Sequence, residues 1–216
     1  MTESSQDWMD GFLVVGNQPV LDFLNTQLAM DDEEQEMLAD TGALVRWLPV
    51  SGLVAAPGLK SKLKGWSKQA AARAFLGELR VFREKLRDTV FRLEEGKQPS
   101  GPFLADLNAR LFAHPFRAAV ITKRGSIESV QVEGASVAET LWAAVLHETV
   151  KLLIDTDPKR VRKCESCVAH FQDISKKNAR RWCSMRLCGN RVKVAAYQER
   201  RRHAGESSLN GARAAL

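Results

Sequence analysis

The chain has 216 residues, with 32 lysines and arginines against 26 aspartates and glutamates and a net charge of +6. That length suits one medium domain or a domain with an appendage. Its 44% hydrophobic and 27% charged residues exclude collagen-like, mucin-like and wholly disordered chains. The first ten residues lack the basic start and apolar stretch of a secretory signal peptide, and no apolar run reaches the roughly 18 residues of a membrane span. A cytoplasmic protein with reduced thiols and no membrane contact is expected, in which four cysteines point to metal or catalysis rather than disulfides.

The charge is unevenly spread. Met1 to Pro158 holds 17 basic and 22 acidic residues, a net of −5, whereas Lys159 to His203 holds 14 basic and 3 acidic, a net of +11. All four cysteines lie in the basic segment. Asp155-Thr156-Asp157-Pro158 carries turn chemistry that stops a helix, so the expected division is a body over 1–158, a basic module over 159–203 and a small-residue disordered tail over 204–216.

In chain order, Phe12-Leu13-Val14-Val15 reads as a short strand and Pro19 as the first position of a helix carrying Leu21, Leu24 and Leu28 inward. The acidic run Asp31 to Glu36 reads as a solvated loop or helix end. Asp40 or Thr41 caps a short helix with Leu44, Trp47 and Leu48. From Ser67 to Glu95, Phe75, Leu79, Phe82, Leu86, Val90 and Leu93 recur at helical spacing, giving one long helix with a basic outer face.

Ser100 and Pro102 open a further helix that His114-Pro115 ends. Phe116 to Thr122 and Ile127 to Val132 form a hairpin about Lys123-Arg124-Gly125-Ser126. Ser136 and Glu139 make a capping box for a helix to about Asp155. The body is thus α+β, mostly helical with a small antiparallel sheet.

Catalytic templates fit it poorly, and no enzyme is expected. His147-Glu148 resembles the opening of a zinc-protease helix, but Lys151 stands where the second histidine is required. Asp22 and Asn25, polar residues inside an otherwise apolar helix, are the only hint of a small-molecule pocket, their alternative role being to bond nearby backbone.

Cys164-x-x-Cys167, fifteen residues and a second pair, Cys183 and Cys188, with four residues between them give pair spacings of structural zinc sites, and four thiolates satisfy tetrahedral Zn²⁺ with no open position. A tight turn lets the amides of Ser166 and Cys167 donate to the first sulfur, with His170 outside the ligand set. So little apolar content implies that the metal supplies much of the module's stability.

Around the cysteines stand Lys176, Lys177, Arg180, Arg181, Trp182, Arg186 and Arg191. A following helix from Val192 to about His203 places Lys193, Tyr197, Arg200 and Arg201 on one face, with Val192, Ala195 and Ala196 toward the zinc core. Arginine forks suit phosphate or guanine edges, and Tyr197 or Trp182 can stack on a splayed base. The alternative is a solvated or body-docking basic face.

Cys188-Gly189-Asn190-Arg191 resembles the signature of the CGNR zinc finger family. Cys164-x-x-Cys167, Phe171-x-Asp173-x-Ser175, Arg180-Arg181-Trp182-Cys183-Ser184-Met185, Lys193 and Tyr197 extend that likeness. Leu21-Asp22-Phe23-Leu24-Asn25-Thr26 resembles the start of the ABATE domain found upstream of such fingers. The resemblance implies a stress-induced transcription regulator, with the four cysteines as structural zinc ligands and the finger on nucleic acid, DNA before RNA. By analogy it suggests a treble-clef-like finger in which Gly189 permits a backbone turn, Asn190 caps the helix or bonds the knuckle, and Arg191 is a structural candidate. A homodimer and a small-molecule effector are the other partners considered. RNA binding, or an interaction module braced by a purely structural finger, is the rival function.

Overall fold

The computed structural model describes residues 7–30, 33–54, 56 and 58–213. Asp31 and Asp32 of the acidic run, and residues 214–216 of the expected tail, lie outside the described residues. Strands β1 (Trp8–Met9) and β2 (Phe12–Leu13) pair as a hairpin, whose turn puts Asp10 at φ 50° and Gly11 at φ 81°, the geometry of a tight primed turn. Helix α1 (Pro19–Leu24) follows.

Leu28 is buried as expected, but from strand β3 (Gln27–Met30), because the helix ends four residues earlier than its leucine spacing implied. β3 pairs antiparallel with β4 (Glu33–Glu36). The acidic run read as loop or helix end is therefore partly strand, in which Glu36 is half-buried against Arg83 while Glu34 stays exposed.

The Asp40 carboxylate accepts from Ala43 N at 2.7 Å and caps α2 (Thr41–Ser51). The long helix expected from Ser67 to Glu95 is the single element α4 (Ala70–Glu94), and a separate helix, α3 (Leu59–Trp66), precedes it, the two parted at the extended Gln69. Its stripe Phe75, Leu79, Phe82, Leu86, Val90 and Leu93 is buried throughout. Its basic face is not wholly outward, since Arg83 is 1% exposed.

Ser100 caps α5 (Gly101–Ala113), and β5 (Ala118–Lys123) pairs with β6 (Ser126–Gln131). Ser136 Oγ accepts from Glu139 N at 3.1 Å at the start of α6 (Val137–Asp155). The Glu139 carboxylate reaches back to Ala135 N, one residue beyond the cap. After a 3₁₀ turn at Pro158–Arg160 come β7 (Val161–Lys163) and β8 (His170–Gln172), a π-type turn at Met185–Gly189 and α7 (Asn190–Arg213). The backbone stays helical to Arg213, where the sequence reading placed a disordered tail from Ala204.

The fold is α+β and mostly helical, with four separate two-stranded antiparallel pairs among the described residues instead of the one small sheet expected. The main core packs α1, α4 and α6 together, with Trp142 of α6 edge-on to Phe75 and Phe82 of α4 at centroid distances of 5.4 and 5.6 Å. Arg83 is tolerated beside it because its guanidinium bonds the Glu36 and Glu84 carboxylates and Thr26 Oγ1, satisfying a charge that burial would otherwise make costly. Burial acts to raise the Glu36 carboxyl, but Arg83 and the Leu38 amide outweigh it and hold it below its usual range.

A second cluster gathers the four cysteines, Ala169 and Phe171 with Leu13, Val15 and Leu28 from the body. Polar contacts complete the seam. Gln172 N donates to Gly16 O at 2.8 Å, Asn17 Nδ2 to Gln172 O at 2.8 Å and Gln18 Nε2 to Gln172 Oε1 at 3.1 Å. The basic module is thus packed onto the body through a shared core.

Candidate metal centre and basic surface

Two turns bring the thiols together. Cys164 and Cys167 flank the turn between β7 and β8, and Cys183 and Cys188 bracket the chain's entry into α7. The four sulfurs lie within 4.8 Å of one another, with Cys167 to Cys183 at 3.5 Å and Cys183 to Cys188 at 3.7 Å. Tetrahedral ligation at about 2.3 Å places sulfurs about 3.8 Å apart, so the donor set fits one such ion with no position left open.

Amides of Ser166 and Cys183 reach the Cys164 sulfur and that of Ala169 reaches Cys167. The first pair differs from the expected Ser166 and Cys167: Glu165 N donates to Arg181 O at 3.0 Å, which sets the segment carrying Cys183 against the knuckle. Donation from the Cys167 and Cys183 thiols pulls Cys164 toward thiolate. That charge holds protons on its neighbours, raising Cys167 to about 12 and Cys183 still further. A bound cation would offset that charge and let all four sulfurs become ligands.

The rest of the signature serves this geometry. Gly189 has no positive φ. A Cβ there would stand 2.4 Å from Met185 Sδ and 3.3 Å from Trp182 Cε3, so close packing, not the expected turn, calls for glycine. The Asn190 backbone N–H donates to Leu187 and Met185 carbonyls, while its exposed side chain neither caps α7 nor bonds the knuckle among the described contacts. Arg191 Nη2 donates to Ser166 Oγ at 2.9 Å and lies 4.0 Å from Cys188 Sγ, tying one cysteine pair to the other.

Several cations expected on nucleic acid are instead engaged within the protein. Arg180 donates to Cys183 O and lies over the Phe171 ring at 5.0 Å. Arg186 bonds the Asp7 carboxylate at 3.2 Å, and Ser184 Oγ donates to the same oxygen at 2.9 Å. Arg181 is exposed but clasps Glu165, with Nε 2.8 Å from Oε2. Lys176, Lys177, Lys193, Arg200 and Arg201 are exposed and have no carboxylate partner among the described residues, and Arg202, unremarked in the sequence, joins them. On α7, Tyr197 is 55% exposed and Val192 37% exposed. Of Val192, Ala195 and Ala196, expected on the zinc core, only Ala196 is half-buried.

Asp22 and Asn25 are both buried, and their polar atoms are taken up by backbone. Asp22 Oδ1 accepts from Val15 N at 2.9 Å and Gly16 N at 2.7 Å, and burial, against those two amides, raises its carboxyl to about 6. Asn25 exchanges two 2.8 Å hydrogen bonds with the His170 backbone. Both bond backbone, the second locking body to finger. The His170 ring is 1% exposed, 3.4 Å from Glu94 and edge-on to Phe91, neither ligand nor surface. His147 stacks on Phe116 at 4.0 Å while Glu148 pairs with Lys151, so the protease-like pair has ordinary helical roles.

Sequence reasoning missed Trp8, Leu13, Val15 and Asp7 as parts of the finger. The apolar run Phe12-Leu13-Val14-Val15 signalled a short strand but not its partner. No helix among the described residues is long and apolar enough to cross a membrane.

These features agree with the comparisons to known families. Residues 160–201 match the CGNR zinc finger, and residues 17–156 match ABATE, described as a putative stress-induced transcription regulator. No curated protein matches the chain. Two consecutive family matches, together with a clustered four-cysteine site in the second, show that the chain belongs to the ABATE family and carries a CGNR zinc finger after that domain.

Proposed function

We propose that the protein is a transcription regulator that grips nucleic acid, with DNA favoured, through the free cations of a finger shaped by structural Zn²⁺. The ABATE body would then sense or oligomerise, and the protein acts in the cytoplasm by binding rather than catalysis. One observation carries the reading: Lys176, Lys177, Lys193, Arg200, Arg201 and Arg202 are exposed without a carboxylate partner among the described residues. Such cations bind by releasing phosphate counterions. Four thiolates select zinc over harder ions.

Fluorescence anisotropy of the zinc-loaded protein on random duplex DNA across a salt series tests it. Six phosphate contacts predict log affinity falling against log salt with a slope near −5. Replacing Lys176, Lys177, Arg200 and Arg201 with alanine should flatten that slope by about 3 to 4. A flat profile in the wild-type protein sinks the proposal. The shared core around the cysteines favours a second reading, a finger that only braces the body, and absence of binding at low salt would select it.

A further inference from the structure

Beside the zinc cluster lies a cleft of about 380 Å³ lined by Ser175, Lys176, Lys177, Ala179, Arg180, Arg181, Trp182 and Met185. Its volume falls in the range of small-molecule sites, roughly 300–1,000 Å³. Two kinds of surface meet in it. Trp182, Ala179 and the 52% exposed Met185 make an apolar wall, and four cations stand around them without any carboxylate in the lining.

The wall is built rather than incidental. The Arg181 guanidinium lies over the Trp182 ring at 5.3 Å and is held there by the Glu165 carboxylate. The indole and guanidinium therefore form one layered support. The missing side chain of Gly189 lets Trp182 and Met185 close against the backbone. Arg180 is fixed by Cys183 O and the Phe171 ring, leaving Lys176 and Lys177 as exposed charges with no carboxylate partner among the described residues.

An isolated phosphate has no use for the apolar wall, and an apolar peptide has no use for four cations. A nucleotide uses both, because its ring stacks on aromatic, guanidinium and thioether surfaces while its phosphate meets lysine. We infer that this cleft receives an unpaired nucleobase, with Lys176 and Lys177 on the flanking phosphates. The inference rests on the nucleic-acid reading above and deepens it. A base inside a duplex is stacked and paired, so it enters only when unpaired or turned out. The finger therefore discriminates strand state more than sequence.

The test compares the zinc-loaded full chain on a short single strand of DNA, the same sequence in RNA, and a duplex of equal phosphate number. A fluorescent adenine analogue in the strand reports stacking. Ala179→Leu fills the cleft from an exposed position without changing charge, and Met185→Thr removes part of its apolar wall. Metal content and helical circular dichroism confirm folding of each variant. The wild-type protein should bind single strands about tenfold tighter than duplex and quench the analogue. Both variants should lose about that factor on single strands and keep their duplex affinity. The strand that retains the larger preference identifies which polymer supplies the base. Equal single-strand and duplex affinities in the wild-type protein, or an unchanged preference in both folded variants, overturns the cleft while leaving nucleic-acid binding in place. No binding to any polymer removes both.

Discussion

Helix α1 buries Val20, Leu21, Phe23 and Leu24 completely, and α4 and α6 close over it with Phe75, Phe82, Leu86 and Trp142. The finger's cluster offers its four cysteines with Ala169 and Phe171, and draws Leu13, Val15 and Leu28 from the body. Each buried leucine or phenylalanine contributes about 1.5–3 kcal/mol. The body therefore closes its core by area, while the finger gathers around its cysteine cluster and borrowed side chains. One consequence is that residues far away in sequence belong to the metal site.

Metal removal should separate the two regions most sharply. Structural zinc contributes roughly 10 kcal/mol or more to small sites, so a strong chelator, or Cys183→Ser, should collapse residues 161–189. The body should keep most of its helical circular dichroism and its own thermal transition. One zinc per chain, released with that collapse, is the accompanying result. A body that melts together with the finger on chelation would show one cooperative unit instead of two.

Arg83→Met probes the opposite side. It leaves Glu36 and Thr26 without their shared partner, but Glu36 is only half-buried and keeps Arg80 at 3.7 Å, so the loss should be about 1–3 kcal/mol. Denaturant unfolding should register that loss in the body transition while metal content stays unchanged. Leu13→Ala should cost about 2–4 kcal/mol and, despite lying about 150 positions from Cys164, should speed zinc loss to a competing chelator. Normal zinc retention in that variant would mean that the finger closes its core unaided.

Asp22 gives the smallest effect and a pH signature. Its folded carboxyl titrates near 6 because of burial, above the unfolded value of about 3.9. The folded state therefore holds the extra proton between about pH 4 and 6. Stability falls as pH rises through that window, and the penalty of up to roughly 3 kcal/mol is complete above it. Asp22→Asn keeps an acceptor for Val15 and Gly16 without the charge. Its stability advantage over wild type should grow from pH 4 to pH 6 and then level off. An advantage independent of pH would show that Asp22 titrates normally.

The cysteine pairs, the capping serines and the α4 stripe were readable because each signal is local: spacing, a short cap or a helical period. Two misreadings have physical causes of the same kind. Leucine spacing carried the first helix through Leu28, yet pairing with Glu33–Glu36 converted that segment into a strand, since a short apolar run satisfies either period. Arginines near the cysteines were grouped as phosphate binders for their charge and planar fork, yet Arg180 is directed inward by the Cys183 carbonyl. The Ser166 hydroxyl holds Arg191 in the structural role that the CGNR likeness implied.

The sequence alone determined the ligand set, the acidic and basic division and most helix positions, because ligand spacing, charge and amphipathic period are properties of neighbours along the chain. Tertiary structure decided which cations remain free, that Asp22 and Asn25 bond backbone, and that Trp8, Leu13 and Val15 complete the finger's core. Those outcomes depend on which distant surfaces meet, and burial then sets both the hydrogen-bond partners left to each polar group and the charges that water still reaches.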